Sequence, residues 1–358
     1  MRGPTIVTVA QLPEFDELID VRSESEFAED HIPGAVNCPV LDDTERARVG
    51  TLYKRVSPFD AKKIGAALVS ANISRHIQAC FLDRPREWHP LLYCWRGGER
   101  SGAFAHVLAQ VGWPVGRLDG GYKAYRRAVV SELETLPRKF RWRVVCGLTG
   151  TGKSRLLRAL RDAGCQVLDL EALAAHRGSV LGSLPEEAQP PQKLFESRIW
   201  STLHGFDARH PVYVEAESKK VGNLRVPEAL VERMWESECV VIEAPLPVRV
   251  ALLKEEYSHF IEEPENLIAK LEALTALHGH AVIDRWRELA LAHRWDEFTA
   301  DLLVSHYDPA YTRAITKHYP ALSRALKLAA HGAEEREFQA LARRCIAAEK
   351  KSPAQELR

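Results

Sequence analysis

Two stretches of this sequence combine residue types at spacings that could do chemistry. From Leu91 to Ser101 it reads Leu-Leu-Tyr-Cys-Trp-Arg-Gly-Gly-Glu-Arg-Ser, an apolar run that ends in Cys94 and passes through a glycine-rich turn into a helical pattern ending near Val111. A cysteine at the mouth of a strand-loop-helix unit meets loop N–H groups, a helix N-terminus and the guanidinium groups of Arg96 and Arg100. All of these favour thiolate over thiol. Gly97 and Gly98 let the loop curl around the sulfur. The plain alternative is a buried strand cysteine, but two Arg, two Gly and a Glu directly after the sulfur are poor core material. Cys94, Arg96 and Arg100 are the candidate catalytic residues.

The second stretch is Gly147-Leu148-Thr149-Gly150-Thr151-Gly152-Lys153-Ser154. It fits G-x-x-x-x-G-K-[ST] in full, follows the apolar Val144 to Cys146 and opens a helix through about Ala163, the context in which the pattern means a phosphate-binding loop. Its glycines let successive backbone N–H groups form an anion nest, Lys153 brings charge to terminal phosphates, and the Ser154 hydroxyl can hold Mg²⁺. Gly147, Thr149, Gly150, Thr151, Gly152, Lys153 and Ser154 are the phosphate-binding candidates. The motif requires a diphosphate-bearing ligand without naming it. Glu215 and Glu217 end a strand at the same sheet edge and, with Ser154, are the candidate Mg²⁺ ligands. Pairing of either with Lys219 or Lys220 is the alternative.

Three weaker patterns stand beside these. Arg138-Lys139-Phe140-Arg141-Trp142-Arg143 is either a solvated hinge or a surface on which Arg138, Lys139, Arg141 and Arg143 meet RNA phosphates while Trp142 stacks on a base. His176-Arg177-Gly178-Ser179 lies in a segment whose Pro185, Pro190 and Pro191 exclude continuous helix. It is an ordinary surface loop, or one in which His176, Arg177 and Ser179 take substrate phosphates or RNA. Tyr307-Asp308-Pro309 reads as a turn out of a last strand, either a plain strand-to-helix turn or one in which Tyr307 lines the site.

Positioning these groups requires alternating α/β structure in both halves. Strands are expected at Thr5–Val9, Leu18–Val21, into Cys94, and at Val115–Leu118. After the basic run they are expected at Val144–Cys146, Gln166–Leu170, Val212–Glu215, Cys239–Glu243 and Leu302–His306. That spacing predicts a parallel sheet with ligands at the strand C-termini, followed from Pro247 by mostly amphipathic helix. The domain boundaries are residues 1–135, a linker 136–143, and 144–358. At 358 residues, 46% hydrophobic and 27% charged, with zero formal charge, the chain reads as about two globular domains without a polycation field. Seven scattered cysteines without a CxxC pair argue for a reducing compartment and against zinc or a disulfide scaffold. With no signal region and no apolar run of spanning length, no membrane association and a cytoplasmic location are expected.

Asp20-Val21-Arg22, Glu26-Phe27 and His31-Ile32-Pro33-Gly34-Ala35, followed by the cysteine loop, resemble a rhodanese-type sulfurtransferase domain over about residues 1–135. In that family the loop cysteine, here Cys94, carries a persulfide. The loop here has one residue more than the common Cys-x-x-Gly-x-Arg pattern, and a wider loop suits a larger chalcogen or an oxyanion such as selenophosphate. With the phosphate-binding loop, His176 to Ser179, Val214 to Ser218 and Tyr307 to Pro309, nearly the whole chain resembles the tRNA 2-selenouridine synthase family. The resemblance implies a rhodanese-like α/β domain joined to a P-loop NTPase-like domain with extra C-terminal helices. It implies replacement of sulfur by selenium at C2 of the wobble 2-thiouridine of tRNA. An S-geranyl intermediate would be made from geranyl diphosphate, and selenophosphate, supplied by selenophosphate synthetase, would be the donor. Mg²⁺ is the expected ion, with no tightly bound organic cofactor. Two other readings stay open: an ATP-dependent RNA sulfurtransferase or P-loop kinase fused to a sulfur carrier, and a non-catalytic RNA-binding protein.

Overall fold

The computed structural model describes residues 3–351. The chain divides into two compact units, one comprising residues up to Glu132 together with Pro190–Ser201, the other Leu133–Gln189 together with the chain from Thr202.

The first unit is built on a five-stranded parallel sheet of β1 (Thr5–Val7), β2 (Glu17–Asp20), β3 (Val36–Asn37), β4 (Pro90–Tyr93) and β5 (Gly116–Leu118) in the order β1-β5-β4-β2-β3. Parallel neighbours need crossover connections, and helices Asp43–Arg55, Pro58–His76 and Glu99–Val111 supply them. β4 is central and buried along its whole length, which is why it reads as an unbroken apolar run. It delivers Cys94 to the C-terminal edge of the sheet. At the same edge, Asp20 and Arg22 form a fully buried ion pair with Nη2 2.6 Å from Oδ2. The guanidinium also donates to the Asp30 carbonyl at 2.6 Å and lies 4.0 Å from the Tyr122 ring centroid. The Pro190–Ser201 segment adds to this unit through an Arg126–Glu196 ion pair, a Lys193–Glu29 bridge of 2.9 Å, and Trp200 edge-on to Tyr125.

The second unit has its own five-stranded parallel sheet. β6 (Trp142–Cys146), β7 (Gln166–Leu168), β8 (Val212–Glu215), β11 (Glu238–Glu243) and β12 (Leu326–Ala329) run in the order β12-β11-β6-β8-β7, and β9 (Lys220–Val221) and β10 (Leu224–Arg225) form a separate hairpin. Helices Lys153–Asp162 and Glu335–Lys351 pack on the sheet around Leu156, Leu160, Tyr213, Ile242 and Phe338. A second apolar core gathers Phe260, Leu267, Trp286, Trp295, Phe298 and Leu302 in the helices that follow β11. No helix of the described residues is long and apolar enough to cross a membrane.

Two sequence expectations are corrected here. Leu302–His306 is not a strand: a π-turn at Leu303–Tyr307 links helices Trp295–Leu302 and Asp308–His318, and the strand beside β11 is Leu326–Ala329. Tyr307-Asp308-Pro309 therefore lies within helical structure rather than at a strand end. A short apolar run cannot by itself separate strand from buried helix. The second correction concerns the basic run. Trp142 opens β6, is 1% exposed and donates from Nε1 to the Pro137 carbonyl at 2.8 Å, so it has no face for a base. Arg141 and Arg143, flanking it with strand periodicity, both pair with Glu349. Of the predicted RNA contacts in this run, Arg138 and Lys139 are the exposed ones.

Removing one partner of a buried ion pair leaves the other charge uncompensated. Asp20→Ala is expected to destabilise the first unit by about 3–5 kcal/mol, seen in calorimetry as an earlier transition for that unit while the second melts as before.

Candidate functional site

In the first unit the cysteine loop is held backbone to backbone. Gly97 and Gly121 adopt φ of +67° and +56°, and a Cβ on Gly121 would stand 2.2 Å from the Cys94 carbonyl oxygen. The first N–H groups of helix Gly121–Leu133 close the contact: Tyr122 donates to the Cys94 carbonyl at 2.8 Å and Lys123 to that of Trp95 at 3.0 Å. The carbonyls of the loop are thus spent outward. The Ser101 hydroxyl donates to Cys94 Sγ at 3.2 Å. Burial pushes the Cys94 thiol up, but the Ser101 hydroxyl and N–H, the Arg100 charge and the Arg96 N–H outweigh it, and the net position is below an ordinary thiol. Arg100 is anchored by Glu26, Nη1 to Oε2 at 2.8 Å. Glu26 in turn accepts from Ser23 in a capping box and pairs with Arg46. Arg96 is exposed, and its backbone rather than its guanidinium serves the sulfur. A cleft of about 420 Å³ opens in this unit, with Arg22, Arg46, Arg100 and Lys193 on its walls beside Trp95 and Tyr122, and with Glu26 and Glu29 among them as partners of Arg46, Arg100 and Lys193. Its four cations outnumber its two carboxylates.

In the second unit the phosphate-binding loop follows β6 and opens helix Lys153–Asp162. Gly150 and Gly152 take φ of +80° and +85°, and a Cβ at Gly152 would meet the Phe338 ring at 2.3 Å. Two side chains far along the sequence hold the loop. Arg249, buried and paired with Asp308 at 2.5 Å, donates from Nε to the Thr149 carbonyl at 2.9 Å, and the Tyr311 hydroxyl accepts from Gly147 N–H at 2.8 Å. Lys153 Nζ lies 3.4 Å from Glu215 Oε1. The Ser154 hydroxyl donates to Glu171 at 3.1 Å or Glu215 at 3.3 Å.

Glu171, Glu215 and Glu217 each bring a carboxylate oxygen within 4.8 Å of the others. Burial pushes all three carboxyls up, with repulsion from Glu215 adding to it at Glu171 and Glu217 and from Asp169 at Glu215, and Glu217 reaches about 8. For Lys153, burial works against the charge, but the three carboxylates outweigh it and hold the ammonium protonated above its usual range. Three crowded oxygen donors against one ammonium leave negative charge that a hard divalent cation would neutralise, so these residues fit Mg²⁺. The sequence-predicted Ser154, Glu215 and Glu217 come together. Glu171 was missed: its only signal is an acid shortly after β7, whose C-terminal end faces the same edge.

These groups line a cleft of about 1050 Å³ that also includes His176, Arg177, Ser179, Tyr307 and Tyr311. The His176 to Ser179 loop reaches the acidic cluster directly, since a Cβ on Gly178 would stand 2.8 Å from Glu217 Oε1. Arg177 bonds the Glu256 carbonyl and lies 4.8 Å from the Tyr257 ring centroid.

The two units thus carry one candidate site each: a thiolate-favouring loop on one parallel α/β unit, and a phosphate-loop motif with a carboxylate cluster on the other. Residues 7–128 match the rhodanese-like domain family and residues 140–278 the tRNA 2-selenouridine synthase AAA domain family. The tRNA 2-selenouridine synthase of Marinobacter nauticus is 33% identical over 84% of this chain and 88% of its own. Those of Nitrosomonas europaea and Sulfurovum sp. are 36% and 40% identical over 71% and 67% of this chain and 65% of each of theirs. The chain belongs to the tRNA 2-selenouridine synthase family and is an enzyme.

Two outcomes follow from the charges. Alkylation of Cys94 by iodoacetamide, followed by peptide mass spectrometry across pH, is expected to show a midpoint below that of a free thiol, and Ser101→Ala is expected to move it upward. A carboxyl whose folded pKa is raised stabilises the fold while protonated, and that contribution is lost as pH rises towards the folded value. The metal-free second unit should therefore lose stability from the ordinary carboxylate range up to about pH 8, the position of Glu217. Mg²⁺ should restore it, with affinity increasing with pH because binding displaces protons. Thermal melts with and without Mg²⁺ check this.

Proposed function

We propose that this chain replaces sulfur by selenium at C2 of the wobble 2-thiouridine of tRNA in two stages, each served by one unit. The observation that carries the reading is the built diphosphate site of the second unit: an anion nest, Lys153 and a carboxylate cluster around Ser154 in one cleft. A thiocarbonyl sulfur leaves poorly, and alkylation makes it a better leaving group. In the first stage the thiouridine sulfur attacks C1 of geranyl diphosphate. The C1–O bond breaks with its electron pair on diphosphate, and the proton on N3 of the base is released. Lys153 and the loop N–H groups stabilise the charge growing on that leaving group. Ser154, Glu171, Glu215 and Glu217 would hold Mg²⁺, which would supply further positive charge there.

In the second stage the selenium of selenophosphate attacks C2, the C2–S bond breaks and geranyl thiol departs with a proton, and water then cleaves the Se–P bond, releasing phosphate and leaving 2-selenouridine. The cleft walled by Arg22, Arg46, Arg100 and Lys193 suits the donor's oxyanion, and the lowered thiol pKa suits a cysteine that receives or directs selenium. Selenophosphate synthetase is the donor's source in this reading. Arg138 and Lys139, exposed ahead of β6, suit contact with tRNA phosphates.

The test uses purified protein, an anticodon stem-loop bearing 2-thiouridine, Mg²⁺, geranyl diphosphate and selenophosphate, with nucleoside mass spectrometry. Cys94→Ser is expected to accumulate the geranylated nucleoside without selenium, and Lys153→Ala to lower geranylation by about a hundredfold, the usual loss of one charge-stabilising donor. An unchanged nucleoside with the intact protein under every condition overturns the reading. Loss of both steps in Cys94→Ser overturns the division between the units.

A further inference from the structure

Beside the phosphate cleft of the second unit, a smaller cavity penetrates the helical core. Thr149 of the phosphate loop, Ser179, Leu253, Tyr257 and Tyr307 line both spaces and form a neck between them. The Tyr257 and Tyr307 hydroxyls both lie within interaction range of Ser179, so the neck is a polar collar. Beyond it the walls are Phe260, Leu267, Trp295, Phe298 and Leu302, with Thr299 and Lys254, whose ammonium is paired with Asp296, the polar residues among them. The cavity holds about 60 Å³, room for about four to six water-sized groups at the ~10–15 Å³ each requires. A water there would find few partners, and empty cavities lined by hydrocarbon stay dry. The series from anion nest through hydroxyl collar to apolar hole matches one kind of molecule: a diphosphate head, an allylic carbon at the collar, and a short apolar tail.

We propose that this cavity seats the distal isoprene unit of the prenyl diphosphate and sets its chain length. The inference rests on the proposed geranyl-transfer reading and adds to it where the chain lies and which residues measure it. The cavity is too small for a third isoprene unit unless Phe298 or Leu267 gives way. The heterocycle of a nucleotide would bury its donors and acceptors there without partners.

Isothermal titration with inorganic diphosphate, dimethylallyl, geranyl and farnesyl diphosphates and ADP tests the assignment on the whole chain with Mg²⁺. For the intact protein, affinity should rise from inorganic diphosphate to dimethylallyl to geranyl diphosphate and fall for farnesyl. Leu302→Phe, which fills the cavity, should weaken geranyl diphosphate about tenfold or more while inorganic diphosphate binds as before. Phe298→Ala, which enlarges it, should bring farnesyl diphosphate to the affinity of geranyl diphosphate. The assignment is overturned if both variants keep the intact protein's order of affinities, or if ADP binds more tightly than geranyl diphosphate and is itself weakened by Leu302→Phe. The nucleoside assay separates the two ideas. Geranyl transfer without dependence on chain length sinks the cavity assignment alone, and chain-length-dependent binding without transfer sinks the reaction alone.

Discussion

The constraint on which the second unit depends is the crowding of Glu171, Glu215 and Glu217 around a single ammonium. Carboxylates so close together, Glu215 buried and Glu171 and Glu217 half-buried, cannot all ionise unless positive charge is supplied, and Lys153 supplies it in contact with Glu215. The cluster thus holds Lys153 and Ser154 at the mouth of the phosphate loop, and it leaves a demand for charge that a cation satisfies. Much of the surrounding packing keeps this arrangement rigid. Arg249 is bridged to Asp308 and ties down the Thr149 carbonyl, Tyr311 takes the Gly147 N–H, and Phe338 lies where only a glycine at 152 leaves room.

The first unit meets a related demand by other means. A cysteine loop that offers N–H groups to a sulfur must dispose of its carbonyls elsewhere, and the helix beginning at Gly121 accepts that role with its own unpaired N–H groups. The approach is close enough that neither Gly97 nor Gly121 can carry a side chain. The Asp20–Arg22 pair stabilises the same edge from below, reaching the Asp30 carbonyl and the Tyr122 ring.

What could be read in the sequence was local. The phosphate loop and the cysteine loop are contiguous, and each carries its geometry in its glycines, so strand, turn and helix were expected where they occur. Glu171 could not be read because it reaches the site through sheet order: β7 lies next to β8, a long-range pairing that no residue near Glu171 announces. Trp142 was misread because basic neighbours suggested a solvated linker. In a strand, alternate side chains face opposite ways, so Arg141 and Arg143 reach Glu349 while the ring between them is buried. The apolar Leu302–Val304 run was assigned to a strand, whereas Leu326–Ala329, with Lys327 in its middle, became one through pairing with β11. The Pro190–Ser201 segment packs with the first unit, although the proline-rich sequence before it marks only a break in helix.

The π-turn at Leu303–Tyr307 acts as a phase adjuster. Helices on either side of it carry different duties: Trp295, Phe298 and Leu302 wall the apolar cavity and Tyr311 lines the phosphate cleft, while Tyr307, the last residue of the turn, lines both. Each residue of an α-helix advances by about 100°, so a regular rod through this region would set one group of side chains out of step with its target. The wider turn absorbs the mismatch at the single place where tail-facing and head-facing surfaces meet. A residue inserted into or removed from this turn would rotate one helix against the other by about 100° and turn one of the two surfaces away from its target.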